Sequence, residues 1–586
     1  MSENVFYSGT EEDINLPYFT LIESLKEAIE TYYHITINRE DLQLTDVPDS
    51  SLGDIGIGCF FLSKILRKPP DVIAQELSSA QLKLPYCSEV RAVGPYLNFI
   101  FNTPELYDAL YRVISEEYGR IHIGADRRIM IEYSAPNTNK PQHLGHVRNN
   151  VLGMALGNIL EAAGYKVVRV NLVNDRGIHI CKSMLAYQKW GGGTTPSSTG
   201  IKGDHFVGDY YVLFEQKGQE NPSLLEEVQG MLQKWENGDK DVIALWEKMN
   251  GWVYEGFDST YKRMGCVFDK VYYESQTYTK GRDIVLKGLG EYKVKRNDAG
   301  DVVVDLSGIN LGEKVLLRKD GTSIYITQDL GTTVQKFFDY ELDRSIFVVA
   351  SEQNLHFQVL FYVLKLLGYE WADKCYHLSY GMVFLPEGKM KSREGKVIDA
   401  DILMDELHEL ARQEVLTRAR EMEDSEIEYV AESVALGALK YFMLKIQPQK
   451  DIYFSPKESV SFDGATGPFA QYSYARLSSI LRKGKDVSTG KPDFSKLGNP
   501  EEKRIAVLLM QYPEVIISAA VTYNPARIAV WIYDMAKAIN KFHHDHSVLN
   551  AQDADLTNAR YELVRMARRV LGNALKVLGI TPLEQM

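Results

Sequence analysis

Apolar residues change their period several times along this chain, and each change marks an element. Residues 128–133 (RIMIEY) form a short apolar run of strand type. A polar, proline-containing loop follows. Over 146–163 the apolar positions return at helical spacing, with Val147, Val151, Met154 and Ile159 near one face, and Gly164 supplies a stop. Residues 166–173 (KVVRVNLV) then read as a second strand. Strand, loop, helix and strand make the first unit of a doubly wound parallel sheet. The flexible segment 191–200 (GGGTTPSSTG) opens a helix-rich insertion that runs to about residue 270. Sheet signals then resume. Residues 314–317 and 322–327 predict a hairpin about Asp320-Gly321, 344–350 a buried strand, 357–367 a helix stopped by Gly368, and 376–385 another strand.

Either side of this region the pattern differs. The first 120 residues mix a helix over 21–29, two helices within 60–77 broken at Pro69-Pro70, and a strand over 93–101 (VGPYLNFIF). GDIGIG at 53–58 lacks the glycine spacing of a dinucleotide loop and is read as a turn. From Asp401 nearly everything is helical, with a polar loop at 484–500. The expected fold is therefore multidomain α/β: a small α+β N-terminal domain (1–120), a Rossmann-like doubly wound parallel-sheet domain (121–400) with a helical insertion at about 190–270, a helical linker (401–455) and an all-α C-terminal bundle (456–586).

Length and composition narrow the class. A chain of 586 residues exceeds a single core, since domains run to about 100–200 residues. The N-terminus is polar and acidic, without a basic segment followed by an apolar one. No long uninterrupted apolar run stands out, so the expectation is a cytoplasmic protein without membrane contact. Five scattered cysteines predict reduced thiols rather than a disulfide framework or zinc site. The net charge of −13 argues against nucleic acid as a partner. Its distribution does not, because 456–586 carries 17 Lys and Arg against 13 Asp and Glu.

The sharpest chemical signal is H-x-G-H at His143, Gly145 and His146. It falls where the first strand ends and its helix begins, where such sheets bind ligands and where free helix N–H groups attract phosphate. Two imidazoles at i and i+3 can donate hydrogen bonds to phosphate oxygens as charge builds on them. Two other readings compete, a metal-binding pair and a helix cap. The first lacks a nearby third ligand. A second basic cluster, 388–396 (GKMKSREGK), follows the strand predicted at 376–385 and suits a clamp on a polyphosphate. Together the two loops point to adenylation of a small acid by ATP.

HLGH at 143–146 resembles the HIGH signature of class I aminoacyl-tRNA synthetases, and KMKSR at 389–393 resembles their KMSKS signature. The chain is most similar to the arginyl-tRNA synthetase family. The resemblance runs through SAPNTNKPQHLGHVRN, DGTSIYITQDL at 320–330, EQNLHFQVLFYVLKLLGY at 352–369, DGATGPFAQYSYAR at 463–476 and the C-terminal tail. It extends to GDIGIGCFFLSKIL and VGPYLNFIF in the N-terminal region, which resemble the family's appended tRNA-binding domain.

The resemblance implies a two-step reaction. Arginine and ATP, with Mg2+ accompanying the ATP, give arginyl-adenylate and pyrophosphate. The arginyl group then passes to the 2′-hydroxyl of the terminal adenosine of tRNA(Arg). It implies a catalytic Rossmann-like domain, an anticodon-binding bundle and a monomer. Lys140, His143, His146, Lys389 and Lys391 match catalytic positions. Pro136, Asn137, His143, Gly145, His146, Gly381, Met382, Lys389 and Ser392 match ATP-binding ones. Asn137, His143, Glu274, Tyr325, Asp329 and Gln353 match arginine-binding ones. No residue matches as a metal ligand.

One departure stands out. Ser392 and Arg393 replace the final Lys-Ser of KMSKS, and Lys140 stands where a lysine before HIGH compensates in enzymes with a degenerate second motif. Two other expectations remain open, a class I synthetase of another amino acid and a catalytically inactive paralogue that only binds tRNA. The Tyr325 and Asp329 pair argues against the first, and the intact Lys140, His143, His146 and Asp329 against the second.

Overall fold

The computed structural model describes residues 13, 15–49, 51–291, 294–321, 324–385, 398–418, 422–487, 490–551 and 553–586. Its centre is a five-stranded, wholly parallel sheet. The strands are β1 (Arg128–Glu132), β2 (Lys166–Val173), β3 (Lys270–Tyr273), β4 (Arg344–Ala350) and β5 (Cys375–Tyr380), lying in the order β5-β4-β1-β2-β3. The chain winds outward from β1 through β2 and β3, then returns to the other side of β1 for β4 and β5. The loop after β1 therefore opens at the topological switch point, where ligands reach the carboxyl ends of the strands. Helix α1 (Leu144–Ala162) crosses this sheet and is buried on nearly every side, because the sheet covers one face and the C-terminal helices another.

The insertion between β2 and β3 is helical, with its longest helices at Gly203–Glu220 and Lys240–Met264. Between β3 and β4 lie helix α2 (Glu274–Lys287), a three-stranded antiparallel sheet (Val294–Arg296, Val302–Asp305, Glu313–Leu317) and helix α3 (Tyr325–Asp339). Among the described residues the hairpin predicted about Asp320-Gly321 is absent. Glu313–Leu317 pairs instead with Val302–Asp305, and Tyr325 to Thr327 form the first turn of α3. Ile326 and Thr327 look strand-like locally, but close packing on α2 decides the matter. A Cβ on Gly281 of α2 would lie 1.7 Å from the Thr327 carbonyl, and one on Gly331 of α3 would lie 2.4 Å from the Gly281 nitrogen. The two glycines let the helix backbones touch.

The N-terminal region carries a four-stranded antiparallel sheet under helices Pro17–Tyr33 and Pro70–Ser79. One expectation fails there and another is refined. GDIGIG is not a turn, since Ile55–Gly58 is an inner strand. Its glycines admit the neighbouring strand, for a Cβ on Gly56 would meet the Asn98 amide oxygen at 2.3 Å. The strand predicted over 93–101 is a hairpin partner, Tyr96–Phe101, joined to Cys87–Val93 through Gly94 with φ 55°.

From residue 400 onward six long helices among the described residues form the C-terminal part. Helix Pro500–Thr522 is long and apolar enough to cross a membrane by length and composition, although the sequence pattern did not single it out; 61% of its apolar window is buried inside the bundle. This bundle also holds the N-terminal domain, through Arg504–Asp46 at 2.8 Å and Arg569–Glu116 at 2.6 Å. The five cysteines are free, and burial pushes each thiol up to about 12.

Candidate active site

The loop from β1 to α1 begins in an unusual backbone. Ser134 and Ala135 both have positive φ, 78° and 49°, a costly state for residues with a Cβ. Buried amides hold them there. The Ser134 N–H donates to Asn149 Oδ1 at 2.5 Å and the Ala135 N–H to Asn171 Oδ1 at 3.0 Å. Asn149 Nδ2 in turn donates to the Val348 carbonyl on β4 and to the Tyr380 hydroxyl on β5, so one side chain ties the loop to two strands. Pro136 and Asn137 then pair with Asn174 as a continuation of β1 beside β2. Pro136 is buried and Asn137 is exposed toward the open end of the sheet.

His143 is the N-cap of α1, so the histidines do cap the helix. The cap also fixes the chemistry. The Gly145 N–H donates to His143 Nδ1 at 3.1 Å, and the His143 N–H donates to His146 Nδ1 at 3.1 Å. Both Nδ1 atoms are acceptors, so each neutral ring carries its proton on Nε2. Burial, then the Lys140 charge, lowers His143 to about 4. Burial, then His143 and Lys140, lowers His146 well below the ordinary histidine value. The rings sit 3.9 Å apart between centroids. The arrangement is a pair of neutral Nε2–H donors at a helix N-terminus, with a lysine within electrostatic reach of both. Gly145 is needed at least as much for the His143 ring, 3.0 Å from a notional Cβ, as for an approaching ligand.

Lys389, Lys391 and Ser392 of the second basic cluster lie outside the described residues. The segments flanking them do not. On one side, Val383–Phe384 pairs in parallel with Ile452–Tyr453. On the other, the Leu144 N–H donates to the Ile398 carbonyl, and the Ala400 N–H to the Gln142 carbonyl, both at 2.9 Å. His143 and Asp399 thus form a bridge, which brings the exit of the second cluster onto the first.

Arg148, one turn into α1, clamps the entrance. Its Nη1 donates to the carbonyls of Gly381 and Met382, and its Nη2 to those of Pro448 and Lys450, at 2.5 to 3.0 Å. Burial lowers this guanidinium to about 10. Gly381 is a close-approach position, since a Cβ there would meet the Lys450 carbonyl carbon at 2.5 Å. The Met382 N–H donates to Asp451 Oδ1 at 2.7 Å. Sequence reasoning missed Arg148, which lies among the polar residues His146, Asn149 and Asn150 of the same helix.

The candidate cation pocket is built from α2 and α3. Glu274 opens α2, and Tyr325 and Asp329 stand one turn apart on α3. Tyr325 is 76% exposed, so it is not a packed core aromatic. Asp329 Oδ2 is held by His356 Nε2 of helix α4 (Asn354–Leu366) at 2.6 Å. Burial raises Glu274 to about 7; Arg176 pulls it down, while Asp175 and Asp329 push it up. Gln353 sits exposed on the turn Ser351–Gln353 after β4. The structure brings Glu274 and Asp329 together and leaves Gln353 and Tyr325 at the open surface. Arg176 and His356 were not singled out by sequence reasoning.

One described cluster has metal-ligand atoms within 4.8 Å of each other, Asp204, His205 and Asp401. The Lys202 ammonium already supplies its positive charge, at 2.6 Å from Asp401 and 3.3 Å from Asp204. In the C-terminal bundle a cavity of about 750 Å³ is lined by Tyr472, Arg476, Arg482, Lys483, His543 and His544 among others, with the Arg476 guanidinium 4.8 Å above the Tyr472 ring.

Comparison with known proteins adds three domain matches in order along the chain. Residues 20–101 match the arginyl tRNA synthetase N terminal domain, 110–455 the class I (R) tRNA synthetase catalytic domain, and 470–586 the DALR anticodon binding domain. The arginine–tRNA ligase of Treponema denticola is 45% identical over 589 residues, covering 98% of this chain and 100% of that protein. The arginine–tRNA ligase of Parabacteroides distasonis is 44% identical, covering 95% and 98%. Among solved structures, the Thermus thermophilus arginyl-tRNA synthetase superposes with a TM-score of 0.81 at 29% identity, covering 97% of this chain and all of that one.

Proposed function

The chain belongs to the arginyl-tRNA synthetase family, and from that premise we propose which of its residues perform each part of the reaction. It is an arginine–tRNA ligase. The arginine carboxylate attacks the α-phosphorus of ATP, the bond to pyrophosphate breaks, and arginyl-adenylate forms. A hydroxyl of the terminal tRNA adenosine then attacks the arginyl carbonyl and AMP leaves.

In this reading His143 and His146 donate from Nε2 to the phosphates of ATP as charge builds there. Their neutrality suits the role, because each ring can donate without first losing or gaining a proton. Lys140 supplies the charge that KMSKS-type loops place at their end, with Lys389 and Lys391 contributing from the second loop. Pro136, Asn137, Gly145, Gly381, Met382 and Ser392 complete the nucleotide site. Asn137, His143 and Gln353 hold the main-chain end of arginine. Glu274, Tyr325 and Asp329 receive its guanidinium, a planar fork of donors that calls for acids in fixed geometry. Mg2+ would accompany ATP and be held mainly by its phosphates and water, since this ion gives up its waters reluctantly. The cavity lined by Tyr472, Arg476 and Lys483 offers aromatic faces and cations to single-stranded anticodon bases. The protein acts as a cytoplasmic monomer, with domain boundaries near residues 120, 400 and 455.

The observation that carries the residue assignment is the reciprocal His143–His146 cap, which leaves two Nε2 donors at the switch point of the sheet. Arginine-dependent ATP–pyrophosphate exchange, with and without tRNA, tests the whole reading. The expected result is exchange with arginine when tRNA is present. No exchange under either condition, or exchange with another amino acid and none with arginine, would overturn it.

A further inference from the structure

The acid that opens the guanidinium pocket already has a guanidinium beside it. Arg176 follows β2, and its Nη1 lies 4.0 Å from Glu274 Oε1. With the Gln328 amide set so that both its atoms are satisfied, its nitrogen donates to Glu274 at 2.7 Å and its oxygen accepts from Arg176 Nη1 at 3.1 Å. The other terminal nitrogen and the face of the guanidinium are committed elsewhere. Nη2 donates to Glu236 Oε1 at 2.8 Å, and the guanidinium carbon sits 3.9 Å above the Tyr278 ring and 5.3 Å from the Trp235 ring. The side chain is only 8% exposed. Tyr278 lies on α2 one turn after Glu274, and Gln328 lies on α3 next to Asp329, so this cage is built from the elements that carry the pocket acids.

We propose that Arg176 is a positioning residue for arginine recognition, a caged positive charge that holds the Glu274 carboxylate ready for the guanidinium of the substrate. This rests on the reading of Glu274 as a substrate contact. A gap of 4.0 Å is too long for a direct hydrogen bond, so Arg176 steers Glu274 without consuming it. Were Arg176 an internal competitor, it would close a forked pair on Glu274 instead of stacking on Tyr278 and pairing with Glu236.

The groups facing Glu274 are Arg176, Gln328, Asp175 and Asp329, with Asp329 held by His356. Burial and the two aspartates favour the protonated acid, and Arg176 opposes them. Only the carboxylate attracts the substrate's cation. Arginine KM therefore falls as pH rises through about 7 and levels off above it. Removing an opposite charge at this range raises a carboxyl by about one to three pH units, so the transition moves up by that amount.

The test is steady-state aminoacylation of tRNA with arginine varied between pH 6 and 9. In Arg176→Gln the midpoint of the KM profile should rise by about one unit or more, with KM at pH 7 up about five-fold or more and kcat at saturating arginine unchanged. Arg176→Lys, which keeps the charge, should restore the wild-type midpoint. Arg176→Met, which keeps a packed side chain over Tyr278 without the charge, is read in the same way should Arg176→Gln fail to fold. A midpoint that stays put, or a KM that falls, overturns the inference. Glu274→Gln separates it from its premise. A raised KM there with a flat Arg176→Gln profile sinks only the role of Arg176. An unchanged KM in Glu274→Gln sinks the role of Glu274 in binding arginine and this inference with it.

Discussion

In the proposed reading the loop after β1 and the pocket between α2 and α3 take opposite charges, and they are built in opposite ways. The loop is contiguous in sequence, tied down by backbone hydrogen bonds and buried amides, and its two histidines are kept neutral by burial. It offers fixed donors to an anion. The pocket draws Glu274, Asp329 and Arg176 from three segments 55 to 153 residues apart in sequence and balances charges against one another. It offers acceptors to a cation. An anion site can be made from dipoles that a helix terminus already exposes. A guanidinium site needs full negative charges, and each buried acid must then be offset by a neighbour.

That contrast can be broken by experiment. The largest effect is expected at the pocket. Asp329→Ala removes one member of a charge pair, worth about 2–5 kcal/mol, and should raise arginine KM at least about thirty-fold while leaving the KM for ATP unchanged. A parallel rise in both would mean that α3 shapes the nucleotide site too. His146→Ala should slow pyrophosphate exchange by about 10²–10³-fold with the fold retained by circular dichroism. An unchanged rate would reduce the loop to a helix cap. The smallest effect concerns the lysines. Lys140→Ala should slow activation more than Lys389→Ala, and the reverse order would place the compensating charge in the second loop.

Much of the loop was visible in advance. The run RIMIEY, the polar stretch and the spacing of Val147, Val151, Met154 and Ile159 placed H-x-G-H at a strand-to-helix junction, where β1 and α1 now stand. The errors share one cause. Glycines in GDIGIG read as a turn and β-branched Ile326 and Thr327 read as a strand, yet in both places a glycine served close contact between elements distant in sequence. Gly56 admits Asn98, and Gly281 admits Thr327. Local preference says that glycine is permissive without saying what approaches it.

By itself the sequence determined the parallel unit around β1, the helical insertion and C-terminal part, and the junction that carries His143, Gly145 and His146, because periodicity and helix-terminus chemistry act within about twenty residues. Tertiary structure alone decided that both histidines present Nε2, that Arg148 clamps Gly381 and Met382, and that Arg176 stands beside Glu274. Each of these depends on a hydrogen bond or a charge supplied from another part of the fold, or on the exact turn that caps a helix. Distances of that kind are set by packing and leave no periodic trace along the chain.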